Sequence, residues 1–486
     1  MNESNSNVID TKKSGYRWTI CTLLFFATTI NYLDRQVLSL TWKDFIVPEF
    51  HWNNNDYGTI TAIFSIVYAI SMLLAGKFVD KLDTKKGFIC AISIWSIGAI
   101  LHAFCGIATS GIIGGKWLVS FEKAREVISG IQNISRVISV SVILFIFARI
   151  VLAIGEAGNF PAAIKATAEY FPKKDRAFAT SIFNAGATVG ALAAPLSIPF
   201  IAKAWGWEMS FIIIGALGFI WLFFWIILYN KPNYHPKVNK AELLYIQQDE
   251  NEISISDVFT KEITKKKISF SQAFKHKQTW AFAIGKFMTD GVWWFFLFWT
   301  PAYLSSVYHL DSTHSAPQIF TLYLITLLSI IGGWLPTFFV EKKKMDPYTG
   351  RMKAMLIFAF FPLLTLLAQP LGKYSVWLPV IIIGIAGAAH QAWSANIFST
   401  IGDMFPKSAI GTITGIGGMA GGLGSFIINK GSGQLFDYAE KNQMEFLGFK
   451  GIEAGYFIIF AICAVSYLIG WSIMKCLVPK MRLIYL

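Results

Sequence analysis

The stretch Trp18–Leu40, WTICTLLFFATTINYLDRQVLSL, decides the fold. Its 23 residues are long enough, at 1.5 Å of rise each, to cross a hydrocarbon layer of about 30 Å as one helix. About 17 polar residues precede it and no small-residue cleavage site follows, so it is expected to be a retained first membrane helix and not a signal peptide. It also carries two adjacent charges, Asp34 and Arg35, well past its start.

The rest of the 486-residue chain repeats the first property. Apolar residues make up 54%, charged residues 15%, and mean hydropathy is +0.51, which excludes an ordinary soluble protein. The apolar runs are long and unbroken. A β-barrel would alternate over short strands, whereas in lipid only helices satisfy the backbone of such runs within one segment. The runs read as spans near 18–40, 57–76, 87–109, 137–163, 177–202, 210–229, 280–304, 317–340, 353–370, 376–400, 411–429 and 454–478. An all-α membrane protein of twelve transmembrane helices is expected.

The polar stretch Lys231–Lys277, with nine lysines, divides these spans into two sets of six. The expected domains are a six-helix bundle over 1–229, a cytoplasmic linker over 230–279 and a second six-helix bundle over 280–486.

The net charge of +13 raises the possibility of nucleic acid, and the placement of the 42 Lys and Arg residues decides against it. With a cytoplasmic N-terminus, 29 of them fall on that side, ten on the other and three inside the spans. The positive-inside rule then puts both termini in the cytoplasm. The basic balance reports topology and attraction to anionic lipid, not nucleic acid. Five scattered cysteines (Cys21, Cys90, Cys105, Cys463, Cys476) show no ligand or redox spacing and read as packing residues.

The halves resemble each other, as transporter halves commonly do. Glu169–Lys173 (EYFPK) matches Asp403–Lys407 (DMFPK) at an offset of 234, which also carries Gly190 onto Gly424. Earlier in the chain an offset of 256 carries Gly76 onto Gly332 and Asp34 onto Asp290. The difference implies 22 extra residues in the first half, expected as an inserted extracytoplasmic amphipathic segment over about 111–136.

Charge inside a span costs at least about 2.5–3.5 kcal/mol on insertion scales and is functional by default. Asp34 and Arg35 in the first span are joined by Arg149 and Glu156 in the fourth, seven residues apart and so on one helical face. The bland reading is that two carboxylates and two guanidiniums only hold the bundle together. The functional reading is that an Arg clamps an anion bidentately while a buried acid exchanges a proton, each altering the other's charge preference.

Asp80, in Gly76–Gly87 between the second and third spans, is a candidate gating residue; a solvated loop is its alternative. The polar and aromatic residues Tyr32, Tyr68, Trp293, Trp294, His390, Gln391, Trp393 and Asn396 could embrace a hydroxylated ring, although for the tryptophans an interfacial belt is as good an account. His390 gains weight because the 234 offset places it opposite Glu156. Lys286 is a candidate substrate contact that could equally pair with Asp290, four residues on. Glycines of the fifth and eleventh spans suit close packing and bending. The chain has no Walker A loop, zinc spacing, nucleophile elbow or dinucleotide fingerprint in a plausible context, so no enzyme activity, cofactor or metal is expected.

Asn31–Arg35 (NYLDR), the Gly76–Gly87 loop and Arg149 with Glu156, spread over essentially the whole chain, resemble the anion:cation symporter family of the major facilitator superfamily. With KFMTDGVWWFFLFWTPAYL at 286–304 and HQAWSAN at 390–396, the chain looks most like the hexuronate branch. The resemblance implies the major facilitator fold, proton-coupled uptake of a hexuronate such as glucuronate or galacturonate, and a single chain in the inner membrane. It carries proton coupling to Asp34 and Glu156, substrate or coupling roles to Arg35 and Arg149, and sugar contacts to Tyr32, Tyr68 and Trp393. The same machine could serve galactonate, glucarate, tartrate or sialic acid. The 22-residue insertion and the missing Gly-Arg-Arg ending after Asp80 depart from the family pattern.

Overall fold

The computed structural model describes residues 13–248 and 269–484. Twelve helical spans follow one another: α1 Tyr16–Thr41, α2 Asn54–Leu82, α3 Thr84–Ala103, α4 Ile134–Tyr170, α5 Lys173–Trp205, α6 Trp207–Leu228, α7 Lys277–Tyr308, α8 Ala316–Glu341, α9 Pro347–Gly372, α10 Trp377–Met404, α11 Lys407–Lys441 and α12 Ile452–Leu477. Among the described residues ten of these meet a strict criterion of length and apolarity for crossing a membrane; α1 and α7, 26 and 32 residues long, complete the set. They form two six-helix bundles, and the middle of the polar linker lies outside the described residues.

The sequence repeat is a structural repeat. At the α4–α5 turn Phe171 is extended (φ −125°, ψ 133°) and Pro172 follows at φ −63°, ψ 157° before the helix restarts at Lys173. At the α10–α11 turn Phe405 (φ −109°, ψ 146°) and Pro406 (φ −64°, ψ 152°) do the same before Lys407. Proline pushes its predecessor out of the helical region and lacks the N–H that helix continuation needs, so the motif ends one helix and starts the next. Gly190 on α5 lies against the Thr29 carbonyl of α1, and Gly424 on α11 against the Phe287 carbonyl of α7, each with no room for a Cβ. The paired helices α1–α5 and α7–α11 are thereby drawn together in the same way in both halves.

Three expectations need correction. The segment 76–87 is not a loop: α2 runs to Leu82 and α3 starts at Thr84, with only Asp83, at φ 71°, between them. Asp80 lies in the last turn of α2, and it is Asp83 that caps Thr84 and pairs with Lys231 Nζ at 3.0 Å. The inserted segment is two short helices, Cys105–Gly114 and Phe121–Ser129, and its expected last residues, Ile134–Arg136, belong to α4, started by the Asn133 side chain. Span ends also reach further than expected: α11, expected over 411–429, runs from Lys407 to Lys441, because helix continues through polar ends of low hydropathy.

The halves are bonded together at the end where α1 meets α2. Asp437 on α11 accepts hydrogen bonds from the backbone N–H groups of Asn54 and Asn55 at 2.9 and 2.8 Å and from Asn54 Nδ2 at 2.9 Å. It completes the first turn of α2, where helical N–H groups have no partner within the helix. Lys430 donates to Asn55 Oδ1 and Thr59 Oγ1, while Asp44, just after α1, accepts from Ser312 N at 2.6 Å. A Trp42–Tyr57 stack with Trp299 edge-on packs beneath these bonds.

Candidate functional site

Below that seam α1 and α4 face each other through their charges. Arg35 donates from Nε and Nη2 to Glu156 Oε2, at 3.0 and 2.6 Å. Arg35, Glu156, Asp34 and Arg149 are all buried, with at most 4% of any residue exposed. The seven-residue spacing on α4 turns Arg149 and Glu156 inward together, and the helix breaks at Ala157–Gly158 directly after Glu156.

The cluster is asymmetric. The Arg35 guanidinium is held on every side: besides Glu156, the rings of Tyr68, Trp294, Tyr32 and Phe64 have centres 4.7, 4.9, 5.2 and 5.8 Å from its central carbon. Trp294 comes from α7, so this cage crosses between the halves. Arg149 meets the Phe64 ring at 5.2 Å, and none of its three nitrogens has a hydrogen-bond partner. Both Asp34 carboxylate oxygens, Glu156 Oε1 and the side-chain amides of Asn31 and Asn159 are also buried without partners. A buried ion pair offsets its desolvation only when the remaining donors and acceptors are satisfied, and each orphan costs about 1–3 kcal/mol. The arrangement suits an anion that completes Arg149 and a proton that neutralises an acid.

The second half is chemically more closed. Lys286 Nζ pairs with Asp290 Oδ2 at 2.7 Å on α7 and lies 4.5 Å from the Phe398 ring centre. His390 on α10 stacks on Trp293, with 5.3 Å between ring centres and 3° between planes, and its Nδ1 is 2.7 Å from Tyr467 Oη on α12. Gln391 is half-buried. Trp393 is sealed within the bundle, edge-on to Tyr467. Asn396 Nδ2 donates to the carbonyls of Gly332 and Ala392 at 2.9 and 2.8 Å, so its amide nitrogen ties α10 to α8. The structure thus brings together Tyr32, Asp34, Arg35, Tyr68, Arg149 and Glu156, and sets Lys286 and His390 on the other bundle, each with a protein partner.

Phe64, Asn31, Asn159, Thr289 and Tyr467 join these clusters without having been singled out for a role. Asn31 precedes Arg35 by four residues and Asn159 follows Glu156 by three, so helical spacing from the charged residues was the available signal. Tyr467 had none.

A family model described as Major Facilitator Superfamily matches residues 24–428. The chain belongs to that superfamily. It is a transporter and not an enzyme. It is 27% identical over 479 residues to the hexuronate transporter of Escherichia coli K12, covering 96% of this chain and 95% of that one. It is 26% identical over 346 residues to the galacturonate transporter of Dickeya chrysanthemi, covering 70% and 87%. Among solved structures, a bacterial homologue of the human lysosomal transporter Spinster, inward-facing and occupied, matches with a TM-score of 0.65 at 17% identity, covering 95% of this chain and 97% of that one. That last likeness concerns fold alone.

The transporter's inserted helix Phe121–Ser129 is fastened to the α1–α2 end. Arg125 Nη2 lies 2.7 and 2.8 Å from the two carboxylate oxygens of Glu208 at the start of α6, and Arg125 Nε is 3.7 Å from Glu49 in the α1–α2 connector. Glu49 also accepts from Trp207 Nε1 at 2.8 Å. Burial pushes the Glu49 carboxyl up to about 7; neighbouring Glu208 adds to the rise, while the Trp207 hydrogen bond and Arg125 oppose it.

Proposed function

We propose that this transporter carries a hexuronate anion, glucuronate or galacturonate, into the cytoplasm together with a proton, by alternating access between its two bundles. The observation that carries the reading is the buried Arg149, a fork of donors without a protein acceptor, beside Asp34 and the closed Arg35–Glu156 pair. The substrate carboxylate completes Arg149 bidentately, which a planar guanidinium does and an ammonium does not. Tyr32, Tyr68 and Gln391 take hydroxyl groups of the sugar.

Asp34 and Glu156 carry the proton. Arrival of an anion beside Arg149 draws that cation's field away from the acids and favours their protonated forms; departure of the anion reverses this. One proton with one hexuronate anion is electroneutral, so the pH gradient and not the membrane potential drives uptake. Both termini are assigned to the cytoplasm of a cell with this protein in its inner membrane, on the 29-to-ten distribution of basic residues. The bonded α1–α2 end is then extracytoplasmic, and the site's way out is to the cytoplasm. Asp80, in the last turn of α2, is assigned to the cytoplasmic gate. The working unit is one chain.

The hexuronate assignment is supported by relatives whose names specify hexuronate and galacturonate. Uptake of radiolabelled glucuronate into proteoliposomes with an imposed pH gradient tests it, with galacturonate, galactonate, glucarate, tartrate and sialic acid as competitors. Accumulation that follows the gradient and is suppressed by galacturonate is expected. A chain that ignores glucuronate and takes up another of these acids overturns the hexuronate assignment.

A further inference from the structure

Three of the four rings around Arg35 travel with it. Tyr32 is on α1 itself and Phe64 and Tyr68 are on α2, all in the first bundle, whereas Trp294 reaches in from α7 of the second, its ring centre 4.9 Å from the guanidinium carbon. The Trp294 ring is itself held: it packs on those of Tyr68, Phe64 and Phe298, with centres 5.8, 5.9 and 5.2 Å away. Phe298, one turn along α7, gives its backbone carbonyl to the Tyr57 hydroxyl of α2 at 2.8 Å. All of these ties but that to the Phe298 ring cross the bundle boundary.

The boundary is shut at the same level. Ser65 and Ala69, each next in sequence to a ring of the cage, meet α11 directly: Ser425 Oγ donates to Ser65 Oγ at 2.9 Å, and Gly422 leaves no room for a Cβ beside Ala69. Nearer the seam, Gly433 leaves none beside the Asn54 carbonyl. The closed face therefore runs from the Asp437 bonds down to Phe64 and Tyr68, and the contact of Trp294 with Arg35 sits at its foot. Opening the α1–α2 end takes α7 and α11 away from α2, and the Trp294 face away from the guanidinium.

We infer that Trp294 is a positioning residue that holds the Arg35 guanidinium on Glu156 only while the bundles are closed at this end, so that the state of the ion pair follows the state of the gate. The inference rests on the reading of Glu156 as a proton carrier and deepens it. Tryptophan offers a cation the best of the aromatic faces, and the attraction is strongest where water is excluded. With that face withdrawn, Arg35 keeps its own bundle's rings and gains water or a substrate carboxylate as a rival to Glu156, and an acid that loses its cation accepts a proton more readily from the open side. Closure brings Trp294 back and returns Arg35 to Glu156 Oε2. The other charged groups about Glu156, Asp34 on α1 and Arg149 on α4, belong to the first bundle and stay with it, while Lys286 and Asp290 on α7 pair with each other.

The test replaces Trp294 alone, in the full-length transporter, by tryptophans carrying one, two or three fluorines on the ring, which thin its π density at nearly constant shape. Two quantities are read: deuterium uptake at the Asn54 and Asn55 amides of the purified protein, and, in proteoliposomes, the ratio of pH-driven glucuronate accumulation to glucuronate exchange. Stepwise fluorination is expected to speed deuterium uptake progressively, by about 3- to 10-fold at the trifluoro ring, and to lower the ratio by a similar factor. Trp294→Phe, which keeps a weaker face, should fall between wild type and Trp294→Leu on both. Fluorinated proteins that match wild type, with Phe and Leu equally altered, would make Trp294 packing alone and overturn the inference. Faster deuterium uptake with an unaltered ratio overturns the link to Glu156. In that event Glu156→Gln tells the two readings apart: if it still accumulates glucuronate with the pH gradient, the proton-carrier reading falls as well, and if it does not, only the role of Trp294 falls. The deuterium readout needs no substrate, so a flat fluorine series there overturns the inference whichever sugar acid is carried.

Discussion

The two bundles share a backbone plan and differ in what they leave undone. The turn Phe171-Pro172 recurs as Phe405-Pro406, and Gly190 recurs as Gly424 at the same kind of helix crossing. Yet in the first bundle a buried guanidinium and a buried carboxylate stand without partners, whereas in the second Lys286 is closed on Asp290 and His390 on Tyr467. Even the repeated turn is held differently. Glu169 is bonded by the hydroxyls of Thr84 and Tyr229, while its counterpart Asp403 takes Arg351 Nε at 2.7 Å. Duplication supplies the scaffold, and the departures are chemical: the first bundle keeps a whole guanidinium and a whole carboxylate unpaired, while the second leaves single atoms such as Asp290 Oδ1 and Trp393 Nε1.

The sharpest way to break this contrast is Glu156→Gln. If the first bundle's acid carries the proton, accumulation driven by a pH gradient should fall by more than about 100-fold, while exchange of labelled for unlabelled glucuronate persists. Equal loss of both would make Glu156 a strut. Next in size is Arg149→Lys. Replacing the fork by a point charge should raise the apparent KM by about 10- to 100-fold with expression unchanged, and an unaltered KM would remove Arg149 from the site.

A third experiment separates the bundles' outer ends. The Glu49 carboxyl is held at about 7 in the fold against about 4.3 in an unfolded chain, so the native state binds more protons between those values. A raised acid contributes stability that is complete below the unfolded value and lost as pH climbs through the folded one. The melting temperature of the purified transporter should therefore decline by a few degrees between about pH 4.5 and 7, and Glu49→Gln should flatten that decline. A wild-type profile that rises over this window would contradict the burial of Glu49. The smallest effect belongs to the second bundle's repeat turn. Arg351 and Asp403 are 28% and 13% exposed, so Arg351→Ala should cost no more than about 1 kcal/mol in denaturation and leave KM unchanged.

Much of the fold was legible because membrane spans announce themselves by length and apolarity, and because the FPK turn survives in both halves. The ends of α7 and α11 were not legible, since they continue as helix beyond the apolar stretch. Asp34, Arg35, Arg149 and Glu156 stood out since charge inside a span is rare. Which arginine would be engaged was not readable: that depends on Phe64, Tyr68 and Trp294 converging from α2 and α7 on one guanidinium. The bond of Asn396 Nδ2 to Gly332 was not readable, because it joins α10 to a backbone carbonyl of α8. Tyr467 was invisible because it meets a ring 77 positions away in the sequence.

The carboxylate of Asp437 belongs to one bundle and the first turn of α2 to the other. Parting the bundles at that end would take this carboxylate from the Asn54 and Asn55 N–H groups, while the Asn53–Asp56 capping box would stay with the helix. Hydrogen exchange at Asn54 and Asn55 should therefore count the visits to a splayed form. An Asp437→Asn protein that exchanges there no faster than wild type would mean that this carboxylate does not guard the two amides.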